Sequence, residues 1–359
     1  MGVLLYIPWF KLEQWDVPLM ILSVIVLGAC GIAWLAKKEW RQQAFSTAGL
    51  ASFATLGAFF YGVETVPVQP FGILVAIGVL SGARVAEWQG KQWGIHPAVT
   101  ADFTTHVAVI GLVTCYFLNG LFYETETLLE ILRDPTLLFQ RWLGLSSFGG
   151  FIGAIFAVWV WKKRRGLPAL GVAECACFCF PVVWIFGRLG CFVVHDHPGA
   201  ETTFFLGVQD FNGHEGVVRH DLGLYEVIWA LVATAIFMKL RNRQQRPTGF
   251  FIALLPLLYT PIRFFLDFLR ATDVSNPDVR WYGLTPAQYA AVGFFLFSLW
   301  MMRRALRAEP AEIPAAMAWP PPESEDGEDD EDASEDDEPE PSEPRPAKKK
   351  KKTRRKKPS

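Results

Sequence analysis

GFFIALLPLLYTPIRFFLDFLR, residues 249–270, decides what kind of protein this is. From Gly249 to Ile262 no residue is charged. At ~1.5 Å per residue the whole stretch is long enough to cross the ~30 Å hydrocarbon core of a bilayer as a helix. The same stretch carries Tyr259, Arg263, Asp267 and Arg270, at spacings i, i+4, i+8 and i+11. At ~100° per residue these four fall in one stripe about 80° wide on an otherwise apolar helix. Ionisable groups inside a membrane are costly and imply a partner or a water-filled site. Two arginines and an acid on one face suit a phosphate or carboxylate ligand. They would equally serve as an internal Arg263–Asp267 pair that joins helices, and the stripe alone leaves both readings open.

Similar apolar runs recur on either side. Nine spans are expected, at about 17–36, 44–62, 71–87, 101–121, 145–161, 174–192, 222–238, 249–268 and 287–302. The loops between them alternate in charge. One set holds fifteen Lys and Arg, among them Lys37, Lys91, Lys162, Arg241 and Arg303, and the opposite set holds six. The positive-inside rule then puts the first set in the cytoplasm, with an outside (periplasmic) N-terminus and an inside C-terminus. The fold class expected is all-α, a polytopic transmembrane helical bundle.

Composition agrees. The chain is 51% hydrophobic, and its mean hydropathy stays positive although the last fifty residues are strongly polar. The net charge of -2 averages an acidic run, Glu323 to Glu343, with a basic run, Lys348 to Lys357. Neither run can bury apolar surface, so residues 306–359 are expected to form a disordered cytoplasmic tail. The six cysteines match neither a zinc spacing nor a secreted disulfide framework. Cys175, Cys177 and Cys179 sit two apart on a helix, point away from one another and read as packing. The N-terminus shows no basic n-region and no cleavage site, so no signal peptide is expected. Two outside loops are long: 122–144, with helical acidic periodicity, and 193–221, which holds four of the six histidines and forms a small cap.

Further polar signals collect at the outside ends of the spans. Arg188 lies within Gly187-Arg188-Leu189-Gly190, where glycines allow close approach of backbone or head group. Arg219-His220 is followed by Tyr225-Glu226, and Phe148-Gly149-Gly150-Phe151-Ile152-Gly153 opens the fifth span. In order and spacing these motifs, with Tyr259-x3-Arg263-x3-Asp267-x2-Arg270, resemble those of the prolipoprotein diacylglyceryl transferases. The resemblance runs from about Pro70 to Arg304, seven of the nine spans, and sets off residues 1–66 as an N-terminal extension with two spans before a core at 67–305.

The resemblance implies a multi-pass enzyme of the bacterial inner membrane. It would move the diacylglyceryl group of phosphatidylglycerol onto the lipobox cysteine thiol of a preprolipoprotein and release glycerol phosphate. It implies Arg188, Arg263, Tyr259 and Glu226 as catalytic residues. The phosphatidylglycerol-binding set would be Arg188, Arg263, Arg270, Asp267, Gly149, Gly150, Gly199 and His220, with Asp196 matching a further acid. Partners would be phosphatidylglycerol, the signal peptides of preprolipoproteins and membrane lipids, with no nucleic acid, no cofactor and no metal. The chain departs from the family at Phe148, where the family has a histidine, at Cys191, where it has an asparagine, and at Phe71, where it has a tyrosine. No arginine near Thr114–Tyr123 matches the family's. The alternative is therefore a non-catalytic or altered-acceptor paralogue that binds phosphatidylglycerol or lipoprotein precursors. A transporter would want a paired inverted repeat, and none is evident.

Overall fold

A computed structural model describes residues 7–8, 10–13, 15–36, 48, 52, 55–56, 65–135, 137, 147–211, 215–242, 247–274, 280–308 and 312–320. All of these belong to the first of two units, Met1–Pro321. Nine helices are described: α1 (Leu19–Ala36), α2 (Pro70–Gln92), α3 (Pro97–Tyr123), α4 (Thr125–Arg133), α5 (Ser147–Arg165), α6 (Leu170–Val194), α7 (Leu222–Lys239), α8 (Phe250–Leu266) and α9 (Pro286–Ala305). Eight of them fall on eight of the nine expected spans, and α4 falls in the long loop 122–144, where helical periodicity is expected. The span expected at 44–62 lies largely outside the described residues, as do the acidic and basic runs. Among the described residues five helices, α2, α3, α6, α7 and the α8 stretch to Leu269, are long and apolar enough to cross a membrane. The protein is an all-α polytopic membrane bundle.

Its surface is turned out as a bilayer requires. Met20, Leu80, Val113, Ile155, Leu231, Phe265 and Leu296 are all exposed. An apolar patch of that extent on a soluble monomer would drive association. Inside, glycines set the helix spacing. A Cβ built on Gly78 of α2 would lie 2.9 Å from Phe186 Cβ of α6, and one on Gly82 would overlap Val183. A Cβ on Gly149 of α5 would lie 2.8 Å from Cys115 Cα of α3, and one on Gly153 would lie 2.9 Å from Gly111 Cα. Small residues thus let backbones meet where lipid supplies no hydrophobic drive between helices.

Away from the cap, Trp93, Phe178, Phe237 and Phe251 form an aromatic cluster, with Trp93 stacked on Phe251 at 5.5 Å. Cys175 and Cys179 are buried in the same cluster and Cys177 packs against it, as the sequence expects. Beside it the buried carboxylate of Glu174 accepts hydrogen bonds from Gly249 N (2.5 Å) and Phe251 N (2.7 Å). An acid inside an apolar span is thereby satisfied at the N-terminus of α8, where the helix dipole favours negative charge.

The cap is a three-stranded antiparallel sheet ordered β3 (Pro198–Glu201), β5 (Val218–Asp221), β4 (Val208–Gln209). Two short strands, β1 (Trp15–Pro18) and β2 (Thr65–Val68), pair separately. Residues from the N-terminal extension join the cap: Ile7 N donates to Gly207 O (3.1 Å) and Gln209 N donates to Ile7 O (2.9 Å). At the other end of the chain, packing continues past the last helix, within the stretch expected to be a disordered tail. Met317 is buried against the Trp93 cluster, His96 N donates to Met317 O (2.8 Å), and Trp319 N donates to Gly94 O (2.9 Å). Ile313, Met317 and Trp319 supply the apolar side chains for these contacts.

Candidate functional site

The polar stripe of α8 faces α6 and α7 near the cap, and Glu226 is its hub. This carboxylate is fully buried, and Oε2 accepts from Arg188 Nε at 2.9 Å, from Tyr259 Oη at 3.0 Å and from Trp184 Nε1 at 3.1 Å. Oε1 faces Arg263 Nη1 at 3.5 Å. The guanidinium of Arg188 also lies over the Trp184 ring, 4.6 Å from its centroid, and donates to Cys191 Sγ at 3.8 Å. Three helices that are distant in sequence thus bring Arg188, Glu226, Tyr259 and Arg263 to one point. A buried carboxylate between two arginines escapes the usual desolvation penalty only through such multiple contacts.

Beyond Arg263 the helix changes. Residues Asp267–Leu269 tighten into a 3₁₀ turn and Arg270 leaves in an extended conformation. The stripe therefore persists to Asp267, and Arg270 reaches back, its Nε 3.2 Å from Asp267 Oδ1. Arg263 Nη2 meets the same oxygen at 3.2 Å. The internal pair that the sequence leaves as one alternative is therefore present, but as one contact within a larger network. Sequence reading missed the other side of Asp267. Thr285 Oγ1 donates to Asp267 Oδ2 and accepts from Gln288 N at 3.2 Å, in a capping box that starts α9. Gln288 Nε2 also donates to Phe264 O at 3.0 Å. The signal was legible as Thr285-x-x-Gln288, a helix-start signature. That the same hydroxyl also holds Asp267 was not.

The remaining predicted residues divide. Gly199 is enclosed: a Cβ there would lie 2.5 Å from His220 Cβ and 2.8 Å from Leu269 O, so only glycine lets β3 pass between them. His220 Nδ1 bonds the Tyr225 hydroxyl at 2.6 Å, and burial pushes its pKa below the ordinary histidine value. Arg219 turns away to Gly199 O (3.2 Å), Glu201 (3.5 Å) and Asp273, whose carboxyl it holds below the usual range. Gly149 is occupied by helix packing against Cys115, while the Cβ position of Gly150 is open, with Cys115 Sγ at 3.9 Å. Gly187 has open space beside it and Gly190 abuts the Phe71 ring. The backbone of Phe148 lies in the first turn of α5, and its side chain is outside the described residues.

At the C-terminus of α6, Asp196 and His197 form a second polar group. His197 Nδ1 lies 3.0 Å from Asp196 Oδ1. Burial alone would raise the Asp196 pKa, but the hydrogen bond and charge of His197, with the charge of Arg188, outweigh it and hold the carboxyl below its usual range. Among the described residues, one set has metal-ligand composition: single donor atoms of Cys191, Asp196 and His197 lie within 4.8 Å of one another. Arg188 donates to that same sulfur, so a cation bound there would meet a fixed positive charge. His195 takes a left-handed conformation (φ 50°) that ends α6, and its two ring nitrogens meet Asp221 Oδ2 (2.6 Å) and Phe10 O (2.5 Å).

Comparison with known proteins covers this whole arrangement. Residues 58–304 match the family described as prolipoprotein diacylglyceryl transferase, a stretch that contains Gly149, Arg188, Glu226, Arg263 and Gln288. A phosphatidylglycerol–prolipoprotein diacylglyceryl transferase of Nitratidesulfovibrio vulgaris (strain DP4) is 32% identical over 245 residues, covering 65% of this chain and 88% of the relative. One of Pseudomonas aeruginosa (strain UCBPP-PA14) is 30% identical over 261 residues, covering 71% of this chain and 95% of the relative. One of Pseudomonas syringae pv. tomato is 28% identical over 200 residues, covering 55% and 73%. The match spans most of the chain and includes all four helices that build the polar network, so the chain belongs to the prolipoprotein diacylglyceryl transferase family.

Proposed function

We propose that this chain transfers the diacylglyceryl group of phosphatidylglycerol to the lipobox cysteine thiol of preprolipoproteins, with release of glycerol phosphate. The observation that carries the reading is the pairing of Arg188 and Arg263 across Glu226 inside an apolar bundle. Three guanidinium groups, those of Arg188, Arg263 and Arg270, share the two buried carboxylates Glu226 and Asp267 in one network. Positive charge in excess of its partners, in a low-dielectric site, suits a phosphodiester whose negative charge grows as the glyceryl C–O bond breaks. Tyr259 and Glu226 hold the two arginines. Gly199 and His220 shape the wall beneath the cap, and Gly150 leaves room for a head group.

Orientation belongs to the same proposal. The cap and the arginine network face the outside of the inner membrane, and the loops after α5 and α7 face the cytoplasm. Residues 1–66 act as an extension to a core at 67–305. In a chain stripped of native cysteines, a membrane-impermeant thiol reagent should label a reporter cysteine at Glu215 in intact cells and spare one at Gly166. The reverse pattern would invert the topology.

The function itself is tested with purified protein, phosphatidylglycerol and a lipobox peptide, following glycerol phosphate. Release is expected from the natural chain. Phe148 favours a second reading, a binding paralogue without catalysis. Release from Phe148→His but not from the natural chain would establish that alternative.

A further inference from the structure

Attack by a thiol requires that its proton go somewhere. Phe148 occupies the family's histidine position, and a phenyl ring accepts no proton. Among the described residues the cap brings three histidines close to the ends of α6 and α7. His195 is committed, since both its nitrogens face acceptors, Asp221 Oδ2 and Phe10 O. His220 is held by Tyr225 and pressed against Gly199.

His197 differs from both. Its Nδ1 lies 3.0 Å from Asp196 Oδ1, and its side chain is 26% exposed. Its Nε2 has no protein partner among the described residues. Asp196 and Cys191 Sγ lie within 4.8 Å on the inner side, and that sulfur lies 3.8 Å from Arg188 Nη1. One continuous set of contacts thus runs from the buried arginine through Cys191 and Asp196 to an open imidazole. A base oriented by a carboxylate beside the group that holds the leaving anion is the arrangement nucleophilic substitution uses. Contacts of this kind are often loose before substrate binds and tighten with it.

We propose that His197 is the general base for the acceptor thiol and that Asp196 is its positioning residue. The assignment rests on the transferase reading above. The acceptor sulfur attacks the glyceryl carbon that bears the phosphate oxygen. The C–S bond forms and the C–O bond breaks. Its electron pair leaves on glycerol phosphate beside Arg188 and Arg263. The thiol proton passes to His197 Nε2 and from there to solvent. The charged groups around the ring are Asp196 beside it and Arg188 beyond Cys191. On the paired strand β5, Asp221 is taken by His195 and Arg219 by Asp273.

The test uses the full-length chain, phosphatidylglycerol in mixed micelles and a lipobox peptide, with glycerol phosphate release followed between about pH 6 and 9. His197→Gln should fall about 10–10²-fold near pH 7 with little change in KM for phosphatidylglycerol. The gap should close toward ~8.5, where the peptide thiol ionises unaided. Asp196→Asn should fall less, and imidazole should restore part of the activity of His197→Ala. An active natural chain whose rate and pH profile His197→Gln reproduces would overturn the assignment and leave the transferase reading standing. Natural-chain activity lost to a chelator and restored by zinc would also overturn it, by placing a cation where the proton is assigned. A natural chain inactive at every pH would overturn both.

Discussion

Arg188→Ala and Arg263→Ala should each remove transfer while the protein still accumulates in the membrane. The loss should reach at least about 10²–10³-fold, the scale seen when one preorganised donor to a developing anion is deleted. Accumulation is expected to survive because Glu226 keeps other donors. Without Arg188 it retains Trp184 at 3.1 Å, Tyr259 at 3.0 Å and Arg263 at 3.5 Å. Lysine at either position should rescue poorly. A guanidinium is planar and can bond Glu226 and a phosphate at once, whereas an ammonium is a point charge. Steady-state release of glycerol phosphate, with membrane abundance measured alongside, decides the matter. Near-full activity in both alanine variants would remove the phosphate clamp.

Glu226→Leu should behave in the opposite way and damage the protein before its chemistry can be measured. The substitution leaves Arg188 buried without its carboxylate partner and removes the acceptor shared by Tyr259 and Trp184. Breaking a buried ion pair from one side costs about 3–5 kcal/mol, a large fraction of the stability of a single domain. Yield in the membrane and the thermal midpoint in detergent should both drop sharply. Glu226→Gln keeps an acceptor and the same shape, so it should lie between Leu and the natural residue in stability. A Leu variant as stable as the natural chain would show that water already enters the site and screens Arg188.

Much of this was legible in the sequence, for identifiable reasons. The spans follow from runs of apolar residues whose length is set by the bilayer. The stripe on α8 follows from helical periodicity, which is why Tyr259, Arg263 and Asp267 do share a face. Periodicity failed at Arg270 because the helix ends in a 3₁₀ turn, which no spacing rule announces. Contacts that join distant segments were not legible either. Thr285 reaches Asp267 from the next helix, Phe10 O meets His195 from the far end of the chain, and Met317 returns to His96 after the last helix. Each depends on tertiary placement that local pattern does not encode. Glu174 drew no notice in the sequence, and its backbone partner Gly249 lies 75 positions further on.

That carboxylate has a geometric consequence. Glu174 pins α6 to the first turn of α8, and both helices then run in the same direction toward the cap. Arg188 lies fourteen residues beyond Glu174, and Arg263 lies fourteen residues beyond Gly249. At ~1.5 Å per residue each arm measures about 21 Å. The two arms start level, are equal in length and carry a guanidinium at the tip, so the arginines come to the same depth in the bilayer. Pro181 on one arm and Pro256 and Pro261 on the other set how each bends on the way. On the proposed reading of the two arginines, the aromatic end of the bundle therefore acts as the zero of a ruler for the level at which a lipid phosphate would be met.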